Sequence, residues 1–226
     1  MKKKRLSSDE RRAKIIETAR QLFSEKGFHG TTTRALADEA GVSEALIFKH
    51  FPSKEAIYKA MLEFCQKSET WSEAYKLLDL ESSTSTLAVL LHFIGAKVIG
   101  GNEETRTLHR LILRSLSEDG EFARIIFKHV ETAWIGKINA CAQAAMKAGD
   151  LREGIEKLNG GGWFAQHLFI MLAFTHTPEN TAVEYKTKKN ALVENAVVFC
   201  LRGLGVRDEA IKRYYNPKAF GLLASN

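Results

Sequence analysis

The chain has 226 residues, 45% hydrophobic and 27% charged, the balance of a globular protein with ample material for a core. Its net charge of +6 is uneven: residues 1–54 hold 12 Lys/Arg against 7 Asp/Glu and the remainder is close to neutral, so one end is suited to meet a polyanion. Cys65, Cys141 and Cys200 are far apart with no Cys-x-x-Cys pair, which argues against a disulfide framework or a thiolate zinc site and fits a reducing cytoplasm.

The start, Met1-Lys2-Lys3-Lys4-Arg5, is followed by polar residues and not by the apolar run of a secretory signal. Ser7-x-x-Glu10 is a capping box that opens a helix, and Ile15, Ile16, Ala19, Leu22 and Phe23 set one apolar stripe along it. Gly27 ends that helix. Thr31 and Thr32 offer an N-cap to a short helix holding Leu36, Ala37 and Ala40, which Gly41 breaks. Ser43 caps the next short helix, Phe51-Pro52 ends it, and Ser53 caps a longer one carrying Ala56, Ile57, Ala60, Met61 and Phe64.

A polar connection over Glu81–Thr86 leads to amphipathic helices at about Leu87–Ile99, Thr105–Leu116 and Phe122–Met146. After Gly160-Gly161-Gly162 comes a helix apolar on nearly all sides, then a long one from about Val183 to Leu204, with only a short segment after Gly205. Prolines stand only at 52, 178 and 217, and no Asn-Gly turn sits between alternating strands, so the expected fold class is all-α. The most apolar stretch, Trp163–Phe174, is interrupted by Gln166 and His167 and is too short to span a bilayer; a cytoplasmic protein with no membrane partner is expected.

Residues 33–54 have the build of a helix-turn-helix. Two short helices that cross closely need a small residue at the crossing (Ala37), a turn residue free to take positive φ (Gly41) and an apolar plug behind the turn (Val42). Leu36, Ala40, Ile47 and Phe51 complete a small core, leaving Glu44, Ala45, Leu46, Lys49 and His50 outward. A second helix of about two turns with short side chains at its start can enter a major groove end-on. Lys54 lies in the first turn of its helix, where the dipole disfavours a cation unless a phosphate joins it.

The run Gly27-Phe28-His29-Gly30-Thr31-Thr32-Thr33-Arg34, with Leu36-Ala37, Ala40-Gly41-Val42-Ser43 and Phe51-Pro52-Ser53-Lys54-Glu55 at matching spacing, resembles the DNA-binding region of the TetR family of bacterial repressors. The resemblance covers residues from about 12 to 60; beyond them it rests on length and helix pattern. It implies a two-domain homodimer, with a helix-turn-helix domain over 1–54 (basic arm 1–6) and a helical ligand-binding and dimerisation domain over 55–226. It also implies a repressor released from a palindromic operator in double-stranded DNA when a small molecule enters the larger domain. Matched position by position, Arg34, Ser43, Glu44, Ala45 and Leu46 face the groove or its rim, Lys49, His50 and Lys54 contact phosphate, and Thr33 lies near the backbone. Two departures stand out. Phe48 replaces a tyrosine whose hydroxyl bonds phosphate, so that contact is lost and packing remains. Leu46 replaces a small or polar residue, and either reads a thymine methyl or is half-buried core. Lys2-Lys3-Lys4-Arg5 is either an arm along the DNA or a basic tail.

In the larger domain Trp71, Phe93, Phe127, Trp134, Trp163 and Phe164 are the aromatic candidates to line a cavity for a hydrophobic effector. The helices near 160–177 and 183–204 are the candidates for pairing with a second copy, because a monomer's surface would not tolerate the first of them. An architectural or ligand-independent DNA binder is the alternative. A helical enzyme finds little support: the sequence has no Gly-rich phosphate motif, no Gly-x-Ser-x-Gly and no His-Glu-x-x-His, so no catalytic or metal-ligating residues and no cofactor are assigned.

Overall fold

A computed structural model of the chain describes residues 7–66, 75–152, 154, 160–176 and 181–224. Among them the single β feature is an isolated antiparallel bridge between Leu151 and Val206; the remaining regular structure is helical, as the sequence predicts. The described residues fall into two units, one of residues up to 66 with 107–128, the other of residues 75–106 with those from 129 onward.

In the first unit α1 (Ser8–Gly30) opens on the expected capping box: the Ser7 N–H donates to Glu10 Oε2 at 2.6 Å and the Glu10 N–H donates to Ser7 Oγ at 3.1 Å. Its stripe of Ile15, Ile16, Ala19, Leu22 and Phe23 is buried. Gly27 breaks the helix with φ +74°, and one further turn runs to Gly30. That conformation brings the Gly27 backbone against the Arg114 and Glu118 side chains, where a Cβ would collide. Thr32 caps α2 (Thr33–Ala40), its Oγ1 accepting from the Ala35 N–H at 3.0 Å; Thr31 instead turns inward and donates to the Gly27 carbonyl at 2.8 Å. Gly41 closes α2 at φ +66°, and Ser43 caps α3 (Glu44–His50), accepting from the Leu46 N–H at 3.3 Å. Ser53 Oγ accepts from the Ala56 N–H at 3.2 Å at the start of α4 (Lys54–Gln66).

This head is filled out by residues from beyond it in sequence. Leu111 and Ile112, from the part of α6 (Glu103–Ser117) in this unit, are buried with Phe122, Ala123 and Ile126 of α7 (Glu121–Val130). The Tyr58 ring stands 4.7 Å from Phe23, 4.8 Å from Phe28 and 4.7 Å from Phe122, centre to centre. Contacts of that kind are worth more than their buried area alone.

In the second unit a 3-10 turn, Leu77–Asp79, precedes α5 (Thr84–Gly100), whose buried residues include Leu87, Leu90, Leu91, Ile94 and Val98. Around α5 pack α8 (Gly136–Lys147), α9 (Gly161–His176), α10 (Lys189–Gly203) and two short helices, α11 (Asp208–Tyr214) and α12 (Pro217–Ala224). The segment after Gly205 is thus more than the short tail expected: Ala210 and Ile211 are buried, and Tyr215 Oη lies 3.0 Å from His92 Nδ1. The helix expected from 183 begins only at Lys189. The helix expected over Phe122–Met146 is not uniform, because a π-helical turn, Glu131–Ile135, separates α7 from α8. Trp134, within that turn, and Ile138, Cys141 and Ala145 beyond it are buried along one stripe.

Candidate nucleic-acid interface

The turn between α2 and α3 builds the candidate interface. Gly41 in the left-handed region lets the Val42 N–H reach back to the Ala37 carbonyl at 2.9 Å, reversing the chain in the space of a few residues. Leu36, Ala37 and Ala40 of α2 then meet Ile47 and Phe51, all of them buried. With that face committed, α3 turns Glu44, Ala45, Phe48 and Lys49 to solvent, and Arg34 of α2 and Ser43 of the turn are exposed as well. His50 is half-buried, and Lys49 and His50 lie in the last turn of α3, where cations suit the helix dipole.

Phe48 is 50% exposed, so losing a hydroxyl has not drawn it into the core, and the packing expected of it is corrected. Leu46 is half-buried, the degree of burial that the core alternative expected of it. Thr33 and Glu44 are joined directly, the Thr33 hydroxyl donating to the Glu44 carboxylate across the two helices. Sequence reasoning placed both residues on the interface and missed the bond.

Lys54 differs from expectation. Its ammonium is turned inward, donating to the Phe28 carbonyl at 2.8 Å and the Thr31 carbonyl at 3.1 Å, and it lies 4.1 Å from the centre of the Phe28 ring. The carbonyls at the end of α1, which need donors, satisfy the charge that a phosphate was expected to satisfy. The same corner is held from the other side. Arg114 Nη1 donates to the Glu25 carbonyl at 3.0 Å, and His29 Nε2 stands 2.7 Å from Asp119 Oδ2. The Glu121 N–H and then His29 hold the Asp119 carboxyl below its usual range. The arm Lys2–Arg5 lies outside the described residues.

The aromatic candidates of the larger domain differ in burial among the described residues. Trp71 and the side chain of Cys65 are outside the described residues. Phe93 and Trp134 are buried, Phe127 and Trp163 are half-buried, and Phe164 is 63% exposed, which corrects its place as a cavity residue. Trp134 instead joins a cluster at the π-helical turn: Tyr75 Oη is 2.7 Å from His129 Nε2, the Tyr75 and Trp134 rings are 5.5 Å apart, and burial holds the His129 imidazole below its usual pKa. Burial also pushes the Cys200 thiol up to about 12, which removes it from thiolate chemistry near neutral pH. Among the described residues no group of His, Cys, Asp and Glu is placed to hold a metal ion, and no single helix is long and apolar enough to cross a membrane.

Residues 15–61, which hold this interface and the helices that support it, match the profile of the bacterial regulatory proteins of the tetR family. The nucleoid occlusion factor SlmA of Marinomonas sp. (strain MWYL1) is 26% identical over 165 residues, 73% of this chain and 80% of that protein. The next curated relatives are matched over less than half of their own length. Among solved structures, NalD of Pseudomonas aeruginosa, the secondary repressor of the MexAB-OprM multidrug efflux pump, is 21% identical with a TM-score of 0.66, over 89% of this chain and 98% of that one. AibR, solved with isovaleryl coenzyme A and operator DNA, is 15% identical with a TM-score of 0.63, over 84% of this chain and 97% of that one. At these identities the two structures speak for the fold. Residues 15–61 are thus similar to the bacterial regulatory proteins of the tetR family, and the chain as a whole shares the fold of NalD and AibR.

Proposed function

We propose that the chain acts in the cytoplasm as a homodimeric transcriptional repressor, released from a palindromic operator by a small hydrophobic ligand. The observation that carries the DNA-binding part is the committed face of α3: with Ile47 and Phe51 buried, Glu44, Ala45, Phe48 and Lys49 are the residues left to enter a major groove. Residues 1–54 are assigned to recognition and 55–226 to sensing and pairing, with 107–128 supporting the head, since they share its compact unit. Arg34, Ser43, Glu44, Ala45, Leu46 and Phe48 are assigned to the groove and its rim, and Thr33, Lys49 and His50 to its edge and the phosphates. Lys54 is read as part of the scaffold instead.

Pairing is assigned to α9 and α10, where Phe164, Met171 and Phe199 are exposed by 63%, 58% and 68%. Phe164 and Met171 stand two helical turns apart on one face of α9, and a second copy would cover them. Phe93, Trp134 and Trp163 remain candidates for the ligand; that AibR was solved with both an acyl coenzyme A and operator DNA supports a ligand-controlled reading. No catalytic step and no cofactor enter this function.

The alternative is DNA binding without a small-molecule ligand, which the extended match to a nucleoid occlusion factor favours. One experiment addresses both readings. Genomic fragments selected by the purified chain should share a palindrome, and their affinity should fall steeply with salt. A lipophilic library should then contain a compound that raises the melting temperature and releases the DNA. A melting shift without release favours the alternative, and recovery of no palindrome removes both.

A further inference from the structure

The DNA-facing side of α3 carries one group of unfavourable sign for a polyanion, the Glu44 carboxylate. It is the first residue of the helix, it is exposed, and the hydroxyl of Thr33, first residue of α2, donates to its Oε1. The helix dipole favours a carboxylate at this end, and the Thr33 bond fixes its direction. Glu44 Oε2 remains available to accept. A neutral amide could tie α2 to α3 through the same hydroxyl; the carboxylate adds its favourable place on the helix dipole and an acceptor-only group at the exposed start of α3.

An ionised carboxylate accepts and cannot donate. In the major groove guanine presents N7 and O6 and thymine O4, all acceptors that repel it. Donors are offered only by cytosine N4 and adenine N6. Beside adenine N6 stands the N7 acceptor, which opposes the second carboxylate oxygen, whereas the neighbour of cytosine N4 is a C–H edge. Building on the DNA-binding reading above, we infer that Glu44 is a specificity determinant that selects a cytosine in each operator half-site, with Thr33 as its positioning residue. The adjoining Ala45 and Phe48 leave an apolar surface for the next base, so the carboxylate supplies the discriminating contact.

The test is selection from random duplex DNA by the full chain and by four variants, sequencing the bound pools. The wild type should select a palindrome with a C·G pair at one fixed position of each half-site. Glu44→Ala should keep the palindrome and lose that preference, a loss of about tenfold or more in relative affinity at that position. Glu44→Gln should move it to adenine, because an amide pairs with N6 and N7 together. Thr33→Val should relax the preference without moving it, and Thr33→Ser, which keeps the hydroxyl, should restore it. Far-ultraviolet circular dichroism should match the wild type throughout, since both residues lie at the surface. Profiles of the two Glu44 variants identical to wild type overturn the inference and leave Glu44 a helix latch. A position that responds to Glu44 but at which the wild type selects another base overturns the cytosine assignment. Failure of the wild type to enrich any palindrome overturns the regulator reading itself, and this inference with it.

Discussion

Lys54 and Phe28 hold each other twice: the lysine ammonium donates to the Phe28 carbonyl at 2.8 Å and sits 4.1 Å from the centre of its ring. With the bond to Thr31 at 3.1 Å, the lysine spans the corner between α1 and α2. Lys54→Met should lower stability in urea denaturation by about 1–2 kcal/mol. DNA binding should weaken while the slope of log K against log salt stays that of the wild type. A slope reduced by about one would mean that Lys54 reaches a phosphate after all.

Phe122 is the far wall of the aromatic cluster, fully buried against Tyr58 at 4.7 Å. Phe122→Ala should cost about 3–5 kcal/mol, read by chemical denaturation, and Phe122→Leu clearly less, because less volume is lost. Equal losses for the two would indicate that ring geometry, not volume, holds the head together.

His109 gives the molecule an acid sensitivity of definite sign. Burial pushes its imidazole down to about 4, while in the unfolded chain it titrates at about 6.5. Between those values the unfolded state binds the proton and the native state does not, so stability should fall as pH drops from about 6.5 to about 4, by roughly 1.4 kcal/mol per unit. His109→Gln should flatten that part of the profile in denaturant titrations at stepped pH. An unchanged slope would assign the effect to other groups, of which His92, also held low by burial, is the first to test.

Phe199 on α10 and Met171 on α9 are the exposed apolar groups through which pairing is proposed. Phe199→Glu combined with Met171→Glu should shift sedimentation from dimer to monomer at micromolar concentration with helicity unchanged. Affinity for a full palindrome should drop toward that for a half-site. A persisting dimer would place the pairing surface elsewhere.

The parts of this structure legible in the sequence are those set by neighbours within one helical turn. The caps at Ser7, Thr32, Ser43 and Ser53, the break at Gly41 and the stripe from Ile15 to Phe23 depend on spacing alone, and each stands where it was expected. The candidate interface was legible in part: Glu44, Ala45 and Lys49 are exposed as expected, whereas Leu46 and His50 are half-buried and Phe48 is exposed. What the sequence hid depends on distant partners. The inward turn of Lys54 needs carbonyls 23 and 26 residues away, and the Thr33–Glu44 bond joins two helices. The π-helical turn at Glu131–Ile135 changes the period within a stripe that 3.6-residue spacing already explained tolerably well. Helices α11 and α12 are only seven and eight residues long, too short to show a periodic stripe, and packing against α5 gives them a reason to form.

The two helices of the candidate interface have eight and seven residues, below the length at which a helix holds in water without help. Their orientation rests on the packing of α2 against α1 and α3, and α1 is in turn held through Phe23 against Tyr58 and Phe122, none of which belongs to the reading surface. A genetic screen for lost operator occupancy should accordingly return two kinds of allele. Changes at Glu44 or Phe48 should fail at every temperature. Changes at Phe122, far along the chain and remote from any base, should be temperature-sensitive, with occupancy recovered in the cold.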